Sequence, residues 1–125
     1  MLRNSAERNP ATNRRQALAC AHGTYNLLSG LWPIVHLRSF ERVFGPKADE
    51  WLVHTVAGLL VAIGWSQLSG TGSAEGQDMA RRIGIGTSAA LLAIDLIYVP
   101  KGRISKMYLL DAVVEAAWIT AWLRA

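Results

Sequence analysis

Three carboxylic acids stand where two long apolar stretches of the chain meet. Asp95 lies near the end of one stretch, and Asp111 and Glu115 lie near the start of the next. Because Asp111 and Glu115 are four residues apart, a helix points their side chains the same way. Ionisable side chains inside apolar helices commonly mark proton relays or ion sites. The sequence therefore predicts a polar site built on these three acids.

Two histidines and a tyrosine fall at a similar depth in the neighbouring stretches. If the four apolar runs are antiparallel helices, His36, His54 and Tyr98 lie within roughly two turns of the acids' side, at about 1.5 Å per residue. The predicted ligand-binding or proton-relay set is therefore Asp95, Asp111, Glu115, His54, Tyr98 and His36.

Polar and aromatic residues recur at three- and four-residue spacing in two of the runs, which places them on one helical stripe in each. These stripes are His22, Asn26, Ser29, Pro33 and His36 in the first run and Tyr108, Asp111, Glu115, Trp118 and Trp122 in the fourth. Three further residues on these stripes are interpreted differently. His22 lies toward the opposite end of its run and is read as an isolated hydrogen-bonding residue. Trp118 and Trp122 are expected to anchor the far end of the protein at the membrane–water interface, where tryptophan is enriched.

A structural role for the acids stays open beside the functional one. Each carboxyl would then be satisfied by a neighbour, Asp95 by His54 and Asp111 by Tyr98 or Lys106, as hydrogen bonds between membrane helices commonly do.

The patterns of a metal site or a catalytic centre are missing from the sequence. It contains no HxxxH, HxxE or ExxH pair, and its glycine-rich stretch 70–77 neither follows a strand nor precedes Lys-Ser/Thr. We expect no metal and no cofactor, and a role without catalysis is favoured over an enzymatic one.

The composition indicates what must position these side chains. The chain has 125 residues, of which 51% are apolar and 18% are charged. Soluble domains average about 25% charged residues, and charges here concentrate between the apolar runs. The prediction is an all-α protein, a four-transmembrane-helix bundle with short loops.

The apolar runs set the predicted boundaries. Residues 1–13 are read as a disordered polar tail and 14–125 as a single transmembrane domain, with spans near 17–37, 51–69, 79–99 and 107–123. Residues 38–45 alternate aromatic and charged side chains at helical spacing, which predicts an amphipathic helix lying at the membrane interface. A frayed continuation of the first helix is the alternative.

The basic residues give the expected partners. They form short clusters between apolar runs, a pattern that favours a lipid bilayer over nucleic acid. Lysines and arginines number seven on one side of the predicted bundle and six on the other. Arg14 and Arg15 favour cytoplasmic termini, whereas the basic turn 101–106 argues for the reverse. A homo-oligomer or a membrane partner protein is expected, because four helices offer little room for a pathway.

One stretch carries a family resemblance. Gly30-Leu-Trp-Pro33, followed by Arg38-Ser-Phe-Glu-Arg-Val-Phe-Gly45 and the glycines Gly58 and Gly64, resembles the DoxX-like group of small four-helix bacterial membrane proteins. The resemblance implies a bacterial inner-membrane location and an accessory role beside thiol or quinone oxidoreductases. It assigns no functional residue, since the acids match no motif of that group.

Three functions follow from these observations. The first is a membrane protein that binds or translocates a small molecule, a cation or a proton through the polar pocket. The second is a non-catalytic accessory or scaffold subunit, and the third is a small membrane enzyme acting on a lipid-like substrate through its carboxylates.

Overall fold

The described part of the protein, residues 10–45 and 50–125 of a computed structural model, is built from α-helices and contains no strand. Four long helices and one short helix follow each other: α1 (Pro10–Val35), α2 (Leu37–Phe44), α3 (Glu50–Ser69), α4 (Ala74–Tyr98) and α5 (Tyr108–Arg124). Helix α1 packs against α3, α4 and α5. The all-α prediction is confirmed.

The helix boundaries differ most from the predicted spans where polar residues extend an apolar run. Helix α1 begins at Pro10 and α4 at Ala74, ahead of the predicted starts near 17 and 79. Proline suits the first turn of a helix because its missing N–H has no partner there, and Ser73 caps α4 by accepting from the backbone N–H of Gly76 at 3.0 Å. The remainder of the predicted tail, residues 1–9, lies outside the described ranges.

Helices α1 and α3 approach each other through small residues. A Cβ atom on Gly64 would come within 2.5 Å of the Gly23 carbonyl oxygen, and one on Gly30 would collide with the carbonyl oxygen of Ala57. The two helices therefore pair in antiparallel register, Gly23 opposite Gly64 and Gly30 opposite Ala57. Close backbone contact at small residues is typical of membrane helices. Gly58, on the same helix as Gly64, instead faces open space.

The segment after α1 forms a separate short helix rather than a frayed end. At His36 the chain leaves the helical conformation, with φ −146° and ψ 78°. The ring Nδ1 of His36 then accepts from the backbone N–H of Ser39 at 3.2 Å and caps α2. Phe40 and Phe44 on α2 pack around Trp32 of α1, with ring centroids 5.4 and 5.9 Å apart.

Polar and apolar side chains are distributed in the reverse of a water-soluble protein. Among the described residues, seven polar or charged side chains but only five hydrophobic ones are buried, while twenty large hydrophobic side chains are exposed. The buried polar residues are His22, Asn26, Gln67, Gln77, Ser88, Asp95 and Glu115.

Among the described helices, one is long and apolar enough to cross a membrane by itself, α3 (Glu50–Ser69). Only 17% of its most apolar stretch is buried in protein. The prediction of four long helices is therefore confirmed. The composition of the other three long helices does not establish that they cross a membrane.

Candidate functional site

A fully buried histidine lies at the centre of the bundle. The Nδ1 atom of His22 on α1 faces two donors, Trp122 Nε1 at 3.0 Å and Gln67 Nε2 at 3.3 Å. Its Nε2 atom faces the hydroxyl oxygen of Ser88 at 3.4 Å. Four helices thus converge on one imidazole ring, α1, α3, α4 and α5.

The donors around His22 decide the position of its proton. An indole N–H can only donate, and so can the amide nitrogen of Gln67. Nδ1 must therefore be an acceptor, and the ring carries its hydrogen on Nε2. From there the ring can donate to Ser88.

Packing holds the His22 ring in this orientation. The indole of Trp118 stacks on it, with centroids 4.4 Å apart and planes 12° apart. Helix α4 passes close by at Gly84, where a Cβ atom would lie within 2.7–2.9 Å of Trp122 Nε1, Gln67 Nε2 and His22 Nδ1. The absence of a side chain at Gly84 thus leaves the room that the hydrogen bonds occupy.

Gln67 is itself fixed by its neighbours. Its side-chain oxygen accepts from Asn26 Nδ2 at 2.7 Å, and its nitrogen also donates to the Ala80 carbonyl at 3.2 Å. Buried amides need such partners, because an unmade hydrogen bond costs about 1–3 kcal/mol.

A serine connects the histidine to the acids. Ser88 donates its hydroxyl hydrogen to Glu115 Oε1 at 2.8 Å, which leaves the hydroxyl oxygen free to accept from His22 Nε2. Donors therefore run in one direction, from His22 through Ser88 to Glu115. Both Ser88 and Glu115 are buried.

The three acids do converge. Asp111 lies within hydrogen-bonding distance of both Asp95 and Glu115. It also accepts a long hydrogen bond of 3.4 Å from the hydroxyl of Tyr25 on α1. Asp95 is 2% exposed, and its Oδ2 atom has no hydrogen-bond donor among the described residues. Two carboxyl groups can hydrogen-bond each other only when one of them carries a proton.

The other three residues of the predicted set lie elsewhere. His54 is exposed on α3 and Tyr98 is 38% exposed, with Lys101 above its ring. His36 is exposed and caps α2. Neither the pairing of Asp95 with His54 nor that of Asp111 with Tyr98 or Lys106 forms in the described structure.

Two expectations from the sequence are corrected. His22 is the centre of a network rather than an isolated residue. Trp118 stacks on its ring and Trp122 is fully buried against it, rather than both facing outward at an interface. The polar stripes on α1 and α5, which contain His22 and Trp122, already carried this signal. Gln67 has no such stripe around it, and nothing in its sequence context reveals its role.

The described residues contain no group of three or more His, Cys, Asp or Glu side chains arranged to hold a metal ion. No protein-family model matches the chain, and no curated protein or solved structure shows significant similarity to it. The DoxX-like resemblance thus stays a prediction.

Proposed function

We propose that the protein is a membrane-embedded proton-binding module, in which Asp95, Asp111 and Glu115 hold an exchangeable proton. The observation that carries the proposal is the contact of the Asp111 carboxyl group with those of both Asp95 and Glu115. Beside it, the buried Oδ2 atom of Asp95 has no donor among the described residues. A proton is the smallest cation that this arrangement can take, and it completes the missing hydrogen bond.

The distribution of side chains supports a membrane location. The twenty large hydrophobic residues that are exposed in the described part of the chain would be costly in water, at about 25 cal/mol per Å² of apolar surface. In a bilayer the same surface faces lipid tails, while His22, Gln67, Ser88 and Glu115 hydrogen-bond with buried partners inside the bundle. We therefore place the four long helices across the bilayer and α2 at its surface.

The series of hydrogen bonds from His22 through Ser88 to Glu115 supports proton exchange from one side of the bundle only. A proton passed through His22 would have to enter at Nδ1 and leave at Nε2. Nδ1 is occupied by Trp122 and Gln67, and neither an indole nor an amide gives up its hydrogen at neutral pH. His22 therefore ends the path, and protons reach the acids from the side where α4 ends and α5 begins.

Infrared spectroscopy of the protein reconstituted in lipid tests the proposal directly. A protonated carboxyl has its own carbonyl stretching band, which shifts when the proton is exchanged for deuterium. We expect this band at neutral pH, its shift in heavy water, and its loss or displacement in Asp111→Asn. Glu75→Gln, which changes an exposed acid of the first turn of α4, should leave the band unchanged.

The proposal fails if the band is absent at neutral pH. It also fails if Asp111→Asn and Glu115→Gln, folded as judged by circular dichroism, show the same band as the unaltered protein. A pH-sensitive dye inside proteoliposomes adds a second check, because steady proton flux would contradict a path that ends at His22.

A scaffold role is the second candidate. Ala116 and Ala117 on α5 are exposed, and small residues on a lipid-facing surface let a partner helix approach closely. Substituting them with leucine should disturb assembly with a partner and leave the carboxyl band intact.

A further inference from the structure

Among the described residues, five cationic side chains are exposed at the end of the bundle that holds the acids. Two of them, Arg38 and Arg42, lie on α2. The other three, Lys101, Arg103 and Lys106, lie in the turn between α4 and α5. We call these five residues the basic face.

Direct contacts join the two parts of the basic face. The ring of Phe44 at the end of α2 packs on Tyr108 at the start of α5, with centroids 4.7 Å apart. Beside it, a Cβ atom on Gly45 would lie 3.7 Å from the Cβ of Ser105. The end of helix α2 is therefore held against the turn, so the arginines of α2 and the cations of the turn lie at the same end of the bundle.

At the opposite end, Arg14 and Arg124 are exposed as well, whereas the other three described cations are partnered or partly buried. Arg81 donates from Nε to the Trp122 carbonyl oxygen at 3.3 Å, and Arg82 forms an ion pair with Asp78 at 3.3 Å. The Nε atom of Arg15 is buried. By contrast, no residue of the basic face forms an ion pair with another described residue. Lys101 has its Nζ atom 5.5 Å from the centroid of the Tyr98 ring.

The arrangement of aromatic and basic side chains on α2 indicates which kind of partner the basic face binds. Its aromatic side packs on Trp32 and Tyr108, and its arginines point away from that packing into exposed positions. A short helix with an apolar inner side and arginines outside is suited to the headgroup layer of a membrane. Phosphate oxygens of anionic lipids are the natural partners of arginine there.

We propose that the basic face binds the anionic headgroups of one membrane leaflet. The inference rests on the membrane location proposed above but not on the proton site. It also orients the protein, since the leaflet with more anionic lipid then lies on the side of the acids and the helix ends 10 and 124 lie on the other. This orientation is the reverse of the one that Arg14 and Arg15 favour.

Electron spin resonance with spin-labelled lipids measures this preference on the full-length protein. The protein is reconstituted in phosphatidylcholine bilayers, and the association of spin-labelled phosphatidylglycerol is compared with that of spin-labelled phosphatidylcholine. We expect a ratio clearly above one, reduced by a factor on the order of five in Arg38→Gln/Arg42→Gln. The triple variant Lys101→Gln/Arg103→Gln/Lys106→Gln should fall similarly, and 1 M salt should reduce the ratio because the Debye length is then about 3 Å.

The matched control is Arg14→Gln/Arg124→Gln, which removes two exposed cations from the opposite end and should keep the ratio. A ratio of one in the unaltered protein overturns the proposal, and so does an equal fall in the control. The infrared carboxyl band recorded on the same samples separates the two proposals, because substitutions in the basic face should leave it in place. Loss of the band with the lipid preference intact would count against the proton site alone.

Discussion

Gly84 shows how much one missing side chain can decide. It lies where the donors of α3 and α5 meet the imidazole of α1, so that a methyl group there would overlap three polar atoms at once. Each of those atoms has a partner within 3.3 Å, and the partners are themselves buried. The network can make room only by breaking a hydrogen bond or by shifting a helix.

Gly84→Ala should therefore lower the free energy of unfolding by about 1–3 kcal/mol, as over-packing a tight interior does. Gly86→Ala on the same helix is the control, because its Cβ atom meets nothing within 4 Å. That change should be neutral or stabilise by up to about 1 kcal/mol through helix propensity. Denaturant titration in mixed micelles compares the two, and equal effects would refute the crowding of the network.

The orientation of the proton on His22 can be measured by nitrogen nuclear magnetic resonance. The ring should show an unprotonated Nδ1 and a protonated Nε2. Trp122→Phe removes one donor to Nδ1 and should change the shift of that nitrogen, at a cost of about 0.5–1.5 kcal/mol for the lost hydrogen bond plus packing. Trp65→Phe, at a site 67% exposed, should change neither. Protonation of Nδ1 in the unaltered protein would contradict the one-sided path.

At the scale of helices, the pairing of α1 with α3 sets the positions of the side chains that form the His22 network. It brings Asn26 and His22 of α1 within hydrogen-bonding distance of Gln67 of α3. The register depends on Gly23 opposite Gly64 and Gly30 opposite Ala57, where backbone meets backbone.

Gly64→Ala should consequently destabilise the protein more than Gly84→Ala, because the added atom meets the backbone of Gly23 and Leu27 rather than side-chain ends. We expect a loss of about 3 kcal/mol, at the upper end for over-packing. Gly58→Ala on the same helix faces open space and should be tolerated. Thermal unfolding of both variants in detergent checks this. A tolerated Gly64→Ala would contradict the close backbone contact between α1 and α3.

At the scale of the whole molecule, the reversed distribution of polar and apolar side chains leads to a prediction about location. The protein should stay with membranes through high-salt and alkaline washing and should need detergent for extraction, because twenty large hydrophobic side chains of residues 10–45 and 50–125 are exposed. Flotation of the washed material with lipid vesicles is the measurement. Release into the aqueous fraction as a monodisperse protein would refute the membrane assignment.

The helices and the convergence of the acids were accessible from the sequence. Apolar runs broken by Gly, Pro and charge clusters predict four long helices, and the spacing of Asp111 and Glu115 predicts their common face. The depth of Asp95 in the preceding run brings it to the same end once the two helices are antiparallel. These features depend on local spacing along the chain and on connectivity.

Which partners meet across the bundle depended on the rotation and register of each helix. His54 has the right depth but faces outward on α3, and His36 stands at a helix end where it serves as a cap. No sequence pattern around Gln67 predicts a role for it. It reaches His22 because α1 and α3 approach each other closely at Gly23 and Gly64.

The sequence alone predicted an all-α chain with its acids gathered at one end, because residue spacing determines which side chains share a helix face and the order of the helices determines their direction. The tertiary structure alone decided that His22, held by Trp122 and Gln67, stands behind those acids as a fixed donor. The physical reason is that a hydrogen bond between two helices forms only when both helices are rotated to face each other and are aligned along their axes at the right register. Packing at Gly23, Gly64 and Gly84 sets them, and no single segment contains that information.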